Sequence, residues 1–576
     1  MLIAWVLSAA LSPNSRYGKK LGIQVNPSPG LCLDAWEVEL ENDPDKEFLL
    51  NGIRHGFDII DRDIQIKPTK SKNHPSARPG SPLYEKATKQ ILQEIENGHY
   101  VICHTPPAIV SPMAAIPKPD GDVRLIHDCS RPSGKSVNDY CSSEWGQKFS
   151  RVDDAAALMT DGCYFAKVDL KSAYRSVKIS ESSQKATGLK WNFDGTEVFL
   201  RDSRLCFGAK LSPGIFHRLT QAVKRMMARR GFDLLIVYLD DFLIIADSKE
   251  KCATALNCLI QLLRKLGFSI HWGKVVDPTT RIIFLGIELD SLSMSLSLPA
   301  DKLNTFKAEL KEFLQRKRAS KRQLQAIAGR LSWAAGVVKG GRVFLRRIFD
   351  QIGMLKHASH KAVISPEMRQ DLLWWYTFLE TFNGKSAILD QQPLFSVFTD
   401  ACDDAAGGSF YQDWFYFNWA QDLPEAATLH INEKEVLAVV LAAQRWAKFW
   451  VNKRIILHSD NMVTVSCVNR GTSRNKLVMR CLRRLFWLSA SYNFHLTARY
   501  LKGCLNVAAD SASRLHSPGY LQTLLPFTDY SPLWLHMSSQ SLHFLLNRFQ
   551  CWWPQNIVPR PVGIGCSRPC WNKNFF

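Results

Sequence analysis

No apolar run in the 576 residues reaches the roughly eighteen that a membrane-crossing helix needs, so no membrane span is expected. Acid is in short supply: 53 Asp and Glu stand against 73 Lys and Arg, leaving a formal charge of +20. That deficit points to a polyanionic partner, although a merely basic soluble protein would show the same balance. The 15 cysteines are odd in number and scattered, without the spacing of a disulfide framework. That excludes a small disulfide-stapled scaffold and suits reduced thiols in a cytoplasmic and/or nuclear setting. Paired zinc-ligand spacing is missing too; Cys566 and Cys570 are half a site, in a tail otherwise marked by Trp534, Trp552 and Trp553. The opening Met1–Ala10 has an apolar signal-like core but no basic lead-in, and reads rather as a start within a longer polyprotein.

What is present is acid at strand ends. Ile236 to Ala246 sets Asp240 and Asp241 between two apolar runs rich in β-branched residues, the pattern of a strand, a tight turn and a second strand. Like charges this close repel unless a cation joins them, but an Asp-Asp pair is also an ordinary turn former. A second apolar run, Tyr164 to Val168, delivers Asp169 in the same way. Three carboxylates from two strand ends can hold two Mg²⁺ for in-line displacement at phosphorus, with no Cys or His required.

These residues carry a resemblance. Asp169-x-x-x-Ala173-Tyr174, then Leu205 to Phe216, then Tyr238-Leu239-Asp240-Asp241 resemble, in order and spacing, motifs A, B and C of the reverse transcriptase palm. The resemblance implies a right-hand polymerase of fingers, palm and thumb, with Asp169, Asp240 and Asp241 as catalytic metal ligands. It places Tyr174 under the sugar, where its ring would exclude a 2′-hydroxyl, with Phe207 and Gly208 beside the substrate. Pro-Asp-Gly at 119–121 marks a hairpin carrying Lys118 and Arg124, which the family uses on the triphosphate; the bland reading is two solvated surface cations. Lys274 resembles the lysine near the leaving pyrophosphate.

The expected layout is a leader and linker over 1–80, fingers and palm over 81–292, and thumb with connection over 293–390. A ribonuclease H-like domain over 391–515 and a tail over 516–576 follow. Helices are expected from Tyr84 to Asn97, from Ser212 through Met227 and from Lys251 to Leu266. Another follows Pro299, burying Leu303, Phe306, Leu310, Phe313 and Leu314, with Arg316, Lys317, Arg318, Lys321 and Arg322 on a basic face that could track phosphates or simply be solvated. In the leader, Trp36, Phe48, Leu49, Leu50, Ile53 and Phe57 suffice for a small helical pair. This stretch and Asp128 to Pro132 resemble DIRS-like retrotransposons.

A second acidic set follows. Asp400 and Asp460 end apolar strands, Glu435 stands just before the apolar run from Val436, and Asp510 sits in Ala508 to Arg514. Asp, Glu, Asp, Asp in this order resembles ribonuclease H, whose four carboxylates bind two metals and cut RNA. Glu433 is the nearby competitor for Glu435. The whole resembles a DIRS-like retrotransposon reverse transcriptase with a ribonuclease H domain, an α+β and α/β multidomain fold. It implies an RNA template, a DNA primer, RNA-DNA hybrid and deoxynucleoside triphosphates as partners. Mg²⁺ would be the cofactor, two per site, with Mn²⁺ able to substitute; other retroelement proteins are further possible partners. An Asp-Thr-Gly protease loop, a His/Cys integrase finger and a recombinase set are not apparent. The rivals are an RNA-making polymerase and a decayed, non-catalytic nucleic-acid-binding retroelement protein.

Overall fold

The computed structural model describes residues 30–526, except 62–63, 119–120, 142–146, 194, 339, 383–385, 388–393, 493 and 525. The opening Met1–Ala10, Pro119 and Asp120 of the hairpin turn, and the tail's tryptophans and cysteines lie outside the described residues. The chain divides into two compact units, Met1–Ile282 and Ile283–Phe576.

In the first unit, helices α1 (Leu33–Glu39) and α2 (Lys46–His55) lead in, and α3 (Tyr84–Glu96) follows. Strands β1 (Met113–Pro117) and β2 (Val123–His127) form the expected hairpin, paired from Met113–His127 to Pro117–Val123. A four-stranded antiparallel sheet comes next: β3 (Tyr164–Asp169), β4 (Leu235–Tyr238), β5 (Asp241–Ala246) and β6 (Val276–Thr279), in the order β6-β3-β5-β4. Helices α4 (Ser212–Ala228) and α5 (Lys249–Lys265) cover it. The serine at 248 starts α5 two residues ahead of the expected Lys251, its hydroxyl accepting from the Lys251 amide.

The helical pair of the leader is part of this core, not a forerunner of it. Trp36 is fully buried with Leu40, Leu49 and Phe57 in one cluster with the palm sheet. The Trp36 indole donates to the Leu266 carbonyl at 3.0 Å. Buried Asp43 accepts from Arg225 of α4 at 2.6 and 2.8 Å. Burial alone would raise that carboxyl; the Arg225 hydrogen bonds, the Asp45 amide and nearby Arg229 hold it below its ordinary value. A second buried network joins α3 to a neighbouring sheet: Arg175 donates to Asp202 at 2.8 and 3.0 Å and to Glu94 at 2.9 Å.

In the second unit a short antiparallel pair, Ile287–Asp290 with Ser295–Ser297, precedes α6 (Ala300–Gln315), α7 (Lys321–Ala334) and α8 (Pro366–Phe382). Leu303, Phe306, Leu310 and Phe313 of α6 are buried as their spacing predicts, and Lys317, Arg318 and Arg322 are exposed. A five-stranded mixed sheet follows. Its strands β7 (Leu394–Ala401), β8 (Ala405–Phe410), β9 (Asp413–Asn418), β10 (Arg454–Ser459) and β11 (His495–Tyr500) lie in the order β9-β8-β7-β10-β11. The first three are antiparallel; β10 runs parallel to β7, and β11 parallel to β10. Helix α9 (Ile431–Trp446) is buried on nearly every side from Lys434 to Ala443; α10 (Met462–Arg470), α11 (Lys476–Tyr492) and α12 (Val507–Ser513) complete the unit. A start at Val436, directly after Glu435, is five residues late. His430 caps α9, and Glu433 closes a capping box on it, which begins the helix at Ile431.

Candidate functional site

Strand pairing builds the first site. Asp241 opens β5 opposite Asp169, which ends β3, so the two carboxylates share one end of the sheet. Asp240 sits in the turn from β4, after Leu239 in the left-handed region at φ 50°. Ser172, just past Asp169, is also left-handed at φ 54°. Backbone conformations of this kind cost about 1–3 kcal/mol each and persist only where the surroundings impose them. The Asp240 carbonyl accepts from the Leu170 amide at 3.1 Å, locking the two acidic tips together.

Two lysines answer this concentrated charge. Lys274 Nζ donates to both oxygens of Asp169 at 3.1 and 3.2 Å, and Lys167 Nζ stands 3.3 Å from Asp241. Burial, then the neighbouring carboxylates, push Asp240 above its ordinary value; burial also raises Asp241 despite Lys167. Carboxylates that repel and are partly desolvated suit a hard divalent cation. Lys167 has no place in the motifs read above; its alternation in β3, two residues before Asp169, was the only local signal.

Tyr174 is buried and its ring stacks on Phe207, centroids 4.9 Å apart, while Phe207 is 68% exposed. Together they form a platform with one open face. Gly208 makes its close approach within the chain: a Cβ there would lie 2.1 Å from the His127 carbonyl at the end of β2. Lys118 pairs with Asp122 at 3.1 Å across the β1–β2 turn, and Arg124 is exposed on β2.

The second site lies within the other unit. Asp400 near the end of β7, Glu435 in the first turns of α9, and Asp460 just after β10 bring one carboxylate oxygen each within 4.8 Å of one another. The three palm aspartates do not form such a tight trio, although Asp241 and Asp169 interact directly. Burial and the other acids push Asp400 up to about 6 and Glu435 up to about 9, and Asp460 is raised as well. One Glu435 oxygen is buried with no hydrogen-bond partner among the described residues. An all-carboxylate set with such an orphaned oxygen fits Mg²⁺ or Mn²⁺. Asp510 stands outside the group of three, held by Arg514 at 2.8 Å, yet its charge still bears on Asp400 and Asp460. Ser513 donates to Asp400 at 2.6 Å. Glu433, the competitor, instead accepts from the His430 amide and from Asn475. Gly407 matters as well: a Cβ there would lie 2.2 Å from the Ser513 amide, so only glycine lets α12 lie this close to β8.

Residues 116–289 match the family described as reverse transcriptase (RNA-dependent DNA polymerase). The chain therefore carries a reverse transcriptase domain of the retroelement or retroviral polyprotein type, in a mixed α/β multidomain fold. The match contains the whole palm site and ends before the second carboxylate set. Among curated relatives, the enzymatic polyprotein of cauliflower mosaic virus (strain D/H) is 23% identical over 384 residues, 63% of this chain and 52% of the relative. The transposon Tf2-3 polyprotein of Schizosaccharomyces pombe is 19% identical over 427 residues, 70% of this chain and 29% of the relative. The chain thus spans about half the length of the viral relatives it matches. A solved foamy viral protease-reverse transcriptase, in complex with ds DNA, has a TM-score of 0.48 and 15% identity over 83% of each chain. No helix among the described residues is long and apolar enough to cross a membrane.

Proposed function

We propose that the chain is the RNA-directed DNA polymerase of a DIRS-like retroelement, with a ribonuclease H site in its second unit, working in the cytoplasm or nucleus. The observation that carries the polymerase reading is the pairing of Asp241 with Asp169 beside the Asp240 turn, inside a span that matches the reverse transcriptase family. Asp169, Asp240 and Asp241 would hold two Mg²⁺. Bound there, paired divalent ions favour the ionised primer hydroxyl and offset charge on the leaving oxygen. The chain's own residues do the rest. Lys118 and Arg124 clasp the triphosphate, Tyr174 on Phe207 floors the sugar pocket, and Lys274 leaves Asp169 for the pyrophosphate side. The +20 charge draws in an RNA template, a DNA primer and their hybrid.

Asp400, Glu435, Asp460 and Asp510 would hold the second pair of ions and orient water toward an RNA phosphodiester in the hybrid. The decayed-binder alternative has nothing in its favour here, since every expected carboxylate is present and two separate acidic clusters remain assembled. Primer extension on an RNA template with Mg²⁺ and deoxynucleotides decides the matter. Asp240→Asn should reduce extension by at least ~10²-fold, as loss of a charge-stabilising group does. If wild type and variant extend equally, or neither extends, the assignment fails.

A further inference from the structure

Away from both acidic sites, three side chains of a different chemistry converge in the first unit. His127 ends β2, Cys129 follows two residues on, and Cys206 precedes Phe207. One ligating atom of each lies within 4.8 Å of the other two, and the residues are only 4%, 0% and 1% exposed. Neither ring nitrogen of His127 makes a well-aligned hydrogen bond among the described residues, although the Cys206 thiol and the Gly188 backbone lie against the ring. A buried imidazole whose nitrogens meet only weak or poorly aligned partners is a cost that folded cores avoid, and a metal ion would engage one of them fully. The backbones here are already drawn tight, since the space for a Gly208 Cβ is filled by the His127 carbonyl. The next donor is Asp202, whose carboxylate is 3.6 Å from Cys206 Sγ and also accepts from Arg175 and the Arg204 amide.

We propose that His127, Cys129 and Cys206 bind one zinc ion, which ties the end of the β1–β2 hairpin to the turn carrying Phe207 and Gly208. Two thiols and an imidazole are a soft donor set that selects zinc over the Mg²⁺ suited to the carboxylate sites. In a tetrahedral site with Zn–S near 2.3 Å the two sulfurs would stand ~3.8 Å apart, a small closure from the observed spacing. Binding releases both thiol protons to solvent, and the two thiolate charges offset those of the ion. The ion would be structural, fixing the turn that presents Phe207 to Tyr174. The proposal does not depend on the polymerase reading.

The full chain, purified in reducing buffer without chelator, should carry about one zinc by elemental mass spectrometry, consistent with a closed structural site. Replacing the metal with Co²⁺ in the wild type should produce a thiolate-to-cobalt charge-transfer band, which carboxylate sites cannot give. Cys206→Ser and His127→Asn should weaken or abolish that band and lose the zinc. Cys163→Ser, elsewhere in the same unit, should keep both. The wild-type cobalt spectrum keeps the test decisive even if a substituted chain misfolds. The proposal is overturned by a metal-free protein that takes up neither ion, by zinc retained in Cys206→Ser, or by a Cys129–Cys206 disulfide found in the unreduced protein.

Discussion

At the scale of the residue, the palm is a contest over charge. Three aspartates crowd one sheet end, and Lys167 and Lys274 each pair with one of them. Tyr174 presents its ring between Phe207 and the buried Phe216, so the sugar-side wall is stiff. Tyr174→Ala should raise ribonucleotide incorporation by about 10–100-fold, the scale of discrimination a lost steric wall carries. Competition assays between ribo- and deoxynucleotides would show it, and an unchanged ratio would remove Tyr174 from sugar selection. In the second unit no lysine among the described residues pairs with Asp400, Glu435 or Asp460, which gives a pH signature. Asp400 and Glu435 are held above their ordinary values first by burial, then by Asp460 and Asp510 for Asp400 and by Asp400 and Asp460 for Glu435. A raised carboxyl contributes stability while it is protonated and loses it as pH rises through the folded value. In chelator, the melting temperature should fall as pH climbs from the ordinary carboxylate range to about 9. Excess Mg²⁺ should restore it, by more at the alkaline end than near pH 6, where Asp400 is only half ionised. A melting temperature that climbs with pH in chelator would contradict this account.

At the scale of the element, two contacts decide more than their size suggests. Helix α1 enters the palm core through Trp36, so Trp36→Ala should cost about 3–5 kcal/mol in urea unfolding of the first unit. A negligible cost would return these helices to the status of a detached leader. Helix α12 lies on β8 only because Gly407 has no side chain. Gly407→Ala should force the helix outward at about 1–3 kcal/mol and pull Ser513 from Asp400, lowering hybrid cleavage while leaving DNA synthesis intact. The elements differed in how far local pattern revealed them. The Asp240–Asp241 hairpin, the pairing of β1 with β2 and the buried face of α6 follow from alternation, turn residues and helical spacing. The place of α1 does not, because its indole meets a carbonyl 230 residues away. Nor does the start of α9, where the cap at His430 and Glu433 outweighed the apolar run as a boundary signal.

At the scale of the whole molecule, the chain holds two acidic centres in two separate compact units. Their activities should therefore come apart. Asp460→Asn should remove cleavage of the RNA strand by ~10²-fold and leave primer extension unchanged, and Asp241→Asn should do the reverse. Parallel gel assays on one labelled hybrid would read both, and any single substitution that abolished both activities in a folded chain would contradict the division.

The amino-acid order alone determined which carboxylates end strands, where the acidic hairpin turns, and that basic charge exceeds acidic, because those are properties of neighbours along the chain. Tertiary structure alone decided that Lys167 and Lys274 pair with the palm aspartates, that Glu435 rather than Glu433 joins Asp400 and Asp460, and that His127 meets Cys129 and Cys206. Charge, desolvation and ligation act through space, over distances that sequence separation does not encode.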